Sequence, residues 1–260
     1  MEKKAKPAFS NAKFEATGET KDWFGITLHR IRSTADIAAL GIVAGTLGGW
    51  IEKEECLSVY GNAWVSGNAR VSGNARVSGN ARVSGNARVS GDARVSGDAR
   101  VSGDARVSGD ARVSGNAWVS GNAWVSGNAW VSGNARVYGD ARVSGNAWVS
   151  GDARVYGDAR VYGDARVSGD ARVYGDARVY KVGLTAVRSD NYTFTIAPTP
   201  EGPRVIAGCR YFSFEQAREH WARTRGGTPL GDETFAILDL LEAQSRIHGF
   251  DAPVTKEPTP

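Results

Sequence analysis

Between residues 61 and 180 apolar and polar positions alternate with a period of two inside a longer period of six. The unit reads Gly-Asn/Asp-Ala-Arg/Trp-Val-Ser/Tyr and occurs twenty times without an insertion. In the first unit Ala63 and Val65 point one way, and Asn62, Trp64 and Ser66 the other. Such alternation around a β-branched residue predicts a short strand with one buried face. Glycine closes each strand, at Gly61, Gly67, Gly73 and every sixth residue to Gly175, where an unusual φ costs least. Six residues are too few for a helix pair and fit no heptad or hendecad. Strands with a corner every six residues predict a three-sided coil of eighteen residues per turn, so twenty units make between six and seven coils. At a coil spacing of about 4.8 Å the rod is roughly 30 Å long. Ala and Val fill its thin interior, and Arg, Trp and Asn/Asp cover the outside.

The flanks follow other patterns. Residues 1–13 are Lys-rich and predict a flexible tail. Residues 14–60 predict an N-terminal cap, with a strand at Ile26-Thr-Leu-His-Arg-Ile31 and with Trp50 and Ile51 covering the open end of the first coil. The code fails at Lys181. Leu184-Thr-Ala-Val-Arg188 and Tyr192-Thr-Phe-Thr-Ile196 then read as strands around a turn at Ser189-Asp190-Asn191, followed by a loop at Pro198-Thr-Pro-Glu-Gly-Pro203. Ser213 with Gln216 is a capping box for a helix through about Arg223. A second helix begins at Asp232, carries Phe235, Leu238 and Leu241 on one face, and ends at Gly249. Residues 181–250 thus predict a small α/β cap, and 251–260, with three prolines, a disordered tail. With the caps at opposite ends, Cys56 and Cys209 lie a rod length apart. They cannot form a disulfide, whose Cα atoms lie within about 7 Å.

The tandem Val-Ser-Gly-Asn-Ala-Arg resembles the hexapeptide-repeat family, which implies a mainly β fold, the left-handed parallel β-helix. Gly45-Thr-Leu-Gly-Gly-Trp-Ile-Glu-Lys-Glu54 resembles the lead-in of phage- and prophage-encoded hexapeptide proteins. Arg188-Ser-Asp-Asn-Tyr-Thr-Phe-Thr195 and Gly208-Cys-Arg-Tyr-Phe212, with the helical sequence after them, resemble the C-terminal part of the same group. Its members are often labelled transferases or polymer-forming proteins, so the resemblance identifies a fold more sharply than a function.

Composition narrows the choice. Glycine supplies 33 of 260 residues, but at every sixth position rather than every third, which excludes collagen. The N-terminus carries no signal-peptide pattern, and the apolar stretch 35–50 is too short and Gly/Ala-rich to span a bilayer. Together these point to a soluble protein of the bacterial host cytoplasm, with a virion component as the alternative. Two cysteines offer no disulfide framework and no Cys-rich metal site. Hexapeptide acyltransferases use a His near the coils, often with an inserted loop, and hexapeptide carbonic anhydrases use three His for zinc. Here the array has neither His nor loop, and His29, His220 and His248 all lie outside it. The reading is therefore no catalytic residue, no metal and no cofactor.

The outer surface carries the departures from the code. Counting by eighteen places Trp118, Trp124 and Trp130 on three successive faces of one coil, and stacks Trp148 on Trp130. Tyr138, Tyr156 and Tyr174 form a second column, and Tyr162 and Tyr180 a third. These aromatics are the candidate surface for a protein partner or for self-association into a dimer or trimer. The array holds 15 Arg and 10 Asp. Arg70, Arg76, Arg82 and Arg88 accompany Asn rather than Asp and are candidates for binding an anion. Wrapped around three faces, they make no continuous patch for nucleic acid. Asp92 and Arg94, and pairs like them, are expected to form solvated ion pairs. The function expected is a non-enzymatic phage or prophage scaffold. The alternatives are an acyltransferase-like enzyme with a site between subunits, a counter-defence module sequestering a nucleotide or a host protein, and a polymer-forming filament. With both ends capped, such a filament assembles easily only side by side.

Overall fold

The chain enters through β1 (Phe14–Trp23), β2 (Ile26–Ser33) and β3 (Leu47–Ile51), an antiparallel meander. Then come β4 (Trp64–Val65) and, at every sixth residue, a further two-residue Arg-Val or Trp-Val strand up to β23 (Arg178–Val179). The computed structural model describes residues 7–169, 171–175, 177–179, 184–199, 202–208 and 210–250. In it the array is a parallel β-solenoid of about seven turns. Each strand pairs with the one eighteen residues on, as Arg76 with Arg94 and Val77 with Val95. The first face carries Arg70, Arg88, Arg106, Trp124, Arg142, Arg160 and Arg178; the second runs from Arg76 to Arg166 and the third from Trp64 to Arg172.

Every unit turns its Ala and Val fully inward. That burial contributes roughly 2–3 kcal/mol per unit, against about 6–12 kcal/mol for ordering six backbones. A lone unit is therefore unstable, and the coils hold only by stacking. The stacking is a continuous ladder: Arg76 N–H donates to Ala93 O (2.9 Å), Ser78 N–H to Val95 O (3.0 Å) and Asn80 N–H to Gly97 O (2.8 Å). At the corner Ala81 N–H donates to Ser78 O at 3.3 Å, around Gly79 with φ +67°. A positive φ is the left-handed region, which glycine enters without a Cβ penalty.

The solenoid begins earlier than the code. Trp50 and Ile51 pair with Arg70 and Val71, and Leu57 bridges to Val77, so the first coil has twenty residues instead of eighteen. Ile51 and Leu57 take the Val positions and are fully buried. Trp50 therefore does not cover an open end: it is the outward residue of a rung. Trp64, at an outward position, is only 4% exposed because the cap packs over it. Gly48 leaves room there, since a Cβ would lie 2.9 Å from its ring and 2.5 Å from Ile31.

Residues 7–13 depart from the expected flexible tail. Phe9 packs edge-on against Phe14 and His29, the Asn11 amide donates to Glu54 (2.9 Å), and Lys13 Nζ donates to Ser58 O (2.9 Å). Lys13 is 6% exposed, and burial lowers its pKa to about 8. Residues 1–6 lie outside the described residues, as do Tyr180, Lys181, Cys209 and the expected tail 251–260.

Beyond the array, β24 (Leu184–Val187), β25 (Thr193–Ala197), β26 (Arg204–Ala207) and β27 (Arg210–Phe212) form an antiparallel sheet. α1 (Phe214–Arg225) and α2 (Pro229–Ile247) pack on it. Ala197, Ile206 and Tyr211 join the solenoid core, whereas Phe194, Ile196 and Val205 build a second core with Trp221, Leu238 and Leu241. The Ser213–Gln216 capping box forms as read. α2 starts three residues before Asp232, because Thr228 caps Gly231 N–H and Pro229 suits the first helical turn. Arg188, 4% exposed, holds the turn: it forks onto Asp190 and donates to Thr234 of α2 (2.7 Å).

Candidate functional site

Trp118, Trp124, Trp130 and Trp148 are between 37 and 41% exposed. Each indole N–H donates one coil back, to Ser102, Ser108, Ser114 and Ser132 at 3.0–3.3 Å. The ring faces of Trp124, Trp130 and Trp148 turn along the rod axis. Trp130 stacks on Trp148 at 5.2 Å and 4°, Arg142 lies over Trp124, and Arg166 over Trp148. Tyr138, Tyr156 and Tyr174 stack likewise, at 5.0 and 5.4 Å, and Tyr174 meets Tyr211 of the cap edge-on. Counting by eighteen thus located the belt and the column, while the structure shows that the outward surface is ring edges. A nucleic-acid base stacks on ring faces, and at Trp124, Trp130 and Trp148 a neighbouring coil takes a face.

The four arginines singled out for an anion are dispersed. Arg76 stands on the second face and Arg82 on the third, while Arg70 and Arg88 share the first. Those two lie under one indole: Trp23, at the end of β1, sits 3.7 Å from the Arg70 guanidinium and 4.7 Å from that of Arg88. Lys21 and Arg30 flank Trp50 in the same way. Lys21 over Trp50, then Trp23 over Arg70 and Arg88, trace an arm descending the first face rung by rung. Burial, and after it the charge of Arg88, lower the pKa of Arg70. Two arginines of the four are therefore engaged by an aromatic arm, which spacing within the array cannot reveal. At the tip of the arm Phe24 is 88% exposed with φ +53°.

The Asn/Asp variation makes a ladder. All ten Asn of the array donate to the residue eighteen positions on; Asn62 to Asn80 (2.9 Å) and Asn80 to Asp98 (3.0 Å) form one run, Asn116 to Asn134 (3.1 Å) and Asn134 to Asp152 (2.9 Å) another. Each run ends at Asp, which accepts and cannot pass a proton on. The expected Asp92–Arg94 ion pair, and others like it, is absent among the described residues. The Asp carboxylate is turned along the axis toward the preceding coil's Asn, while Arg extends from the flat of the face.

His29 packs on Phe9, His220 between Phe212 and Trp221, and His248 near Phe250. Burial first, then Arg210 and Arg223, lower the pKa of His220. Among the described residues no group of three His, Cys, Asp or Glu is placed to hold a metal ion. Cys56 is fully buried, and burial raises its thiol pKa. Among those residues no helix is long and apolar enough to cross a membrane. No curated protein matches the sequence. Residues 63–185, a little under half of the chain, match the Bactofilin family, described as polymer-forming cytoskeletal.

Proposed function

We propose that the chain is a non-enzymatic scaffold that acts through self-association of a rigid β-solenoid, in the bacterial cytoplasm. The observation that carries this is the unbroken stack of coils in a stretch similar to a polymer-forming family. The same match supports a structural role over the acyltransferase and sequestering readings. The phage or prophage origin implied by the resemblance gains no support from it, and the proposal does not depend on that origin.

Association is lateral in this reading. A second rod can continue a solenoid only against an unpaired coil edge. Here β1–β3 extend the first sheet at one end, and the β24–β27 sheet packs over the core at the other. The Trp118–Trp124–Trp130 belt, with Trp148, offers exposed apolar edges on the side walls. Replacing Trp118, Trp124 and Trp130 by Arg restores the commonest residue of that position and leaves the Ala/Val interior untouched. Light scattering should then show a smaller assembly with an unchanged far-UV spectrum. An assembly of unaltered mass would refute the lateral belt. A wild-type chain that stays monomeric at high concentration would refute self-association itself.

A further inference from the structure

The third face carries one arginine column, Arg82, Arg100, Arg136, Arg154 and Arg172, interrupted by Trp118. Arg82, Arg100 and Arg136 are exposed, as solvated arginines on a flat β-face should be. Arg154 and Arg172, each in a Gly-Asp-Ala-Arg-Val-Tyr unit, are half-buried, and the turn between β24 and β25 lines the same cleft. The two share a cleft of about 440 Å³ with Asn191, Tyr192 and Thr193 of that turn, and with Asp152 of the array. Asp152 already accepts from Asn134 (2.9 Å), and among the described residues no carboxylate lies within 4 Å of either guanidinium.

Two like charges one coil apart lose water under the cap, and among the described residues neither makes an ion pair. Beside them stand the Asn191 amide and the Thr193 hydroxyl, both able to donate. Paired guanidinium forks with neutral donors suit the several oxygens of a tetrahedral oxyanion. The cavity is of the size that takes a small organic molecule as well as the anion itself. We propose that this coil–cap cleft binds a small phosphate monoester, with Arg154 and Arg172 on the phosphate and Asn191 and Thr193 completing the shell. Asn191 has φ +64°, so the turn presents its side chain in a conformation that only Gly or Asn adopts readily.

Inorganic phosphate, AMP and adenosine serve as probes of the full chain in low-salt buffer, by calorimetry and by phosphorus NMR. Phosphate and AMP should bind, and adenosine should not. Arg154→Gln with Arg172→Gln should weaken both by about tenfold or more. Arg82→Gln with Arg100→Gln, in the same column but outside the cleft, should leave binding intact. Asn191→Gly keeps the left-handed turn and should weaken binding on its own. Phosphate and AMP failing to bind at millimolar concentration would overturn the proposal, as would binding equal in the two double variants. Adenosine binding as well as AMP would also overturn it, since the arginines would then be bystanders. None of these readouts depends on whether the rods associate.

Discussion

Alanine in place of a corner glycine separates two costs that the array imposes together. At Gly109 φ is +66°, and a Cβ would lie 3.1 Å from Gly127 N and 3.2 Å from its O. At Gly175 φ is +64° and nothing lies within 4 Å, because the stacked coils end there. The left-handed conformation alone costs an L-residue about 1–2 kcal/mol. Pressing a methyl into the next coil's backbone adds about 1–3 kcal/mol, the usual toll of overpacking. Gly175→Ala should therefore cost about 1–2 kcal/mol and Gly109→Ala about 2–5 kcal/mol. Stacked repeats need not unfold in one step, so a single denaturation midpoint is not enough. Amide exchange resolved by coil is the sharper assay, since each 1.4 kcal/mol of lost stability speeds opening about tenfold. Protection should fall most in the coils holding Gly109 and Gly127. Gly109→Asn, which tolerates left-handed φ, should recover only the conformational share. Equal losses at positions 109 and 175, or full rescue by Asn, would show that the close approach between coils contributes nothing.

Three further outcomes follow from the same geometry. Asn134→Asp deletes the donor to Asp152 and sets two carboxylates one above the other, costing about 1–2 kcal/mol at neutral pH and less in high salt; thermal denaturation at two salt concentrations checks this. Lys13 has its pKa lowered by burial from 10.5 to about 8, so between those values the unfolded chain binds more protons and stability rises with pH. Lys13→Met should flatten that rise, which is worth a few kcal/mol at most, and should be no less stable at pH 7; an unchanged slope in denaturant titrations would refute it. Arg188→Met removes the donors to Thr234 and Asp190, and should destabilise the cap by about 1 kcal/mol or more through the lost Thr234 bond while the coils persist. The helical signal would then be lost at lower temperature than the β signal, and simultaneous loss would count against a separately held cap.

The array was legible because each coil touches only its neighbours, so a spacing of eighteen already names every vertical contact. The stacking of Trp130 on Trp148 and of Tyr138 on Tyr156 followed from that count. The first coil was missed because Ile51 and Leu57 replace Val and two extra residues precede Trp64, which hides the period while keeping the buried positions. Lys13 looked like part of a charged tail, since lysine content says nothing about a carbonyl such as Ser58 O waiting forty-five residues away.

What the amino-acid order determined by itself is therefore the solenoid: alternation gives the buried Ala/Val face, glycine the left-handed corner, and the fixed period the columns. Tertiary structure decided what each column faces. It placed Trp23 on Arg70 and Arg88, aligned Asn with the acceptor of the following coil, and brought the turn after β24 over Arg154 and Arg172 but not over Arg136. The physical reason is that closely similar hexapeptides have closely similar local energetics. Contacts made in the folded stack, with a cap or with an aromatic of the neighbouring coil, make one arginine differ from the next.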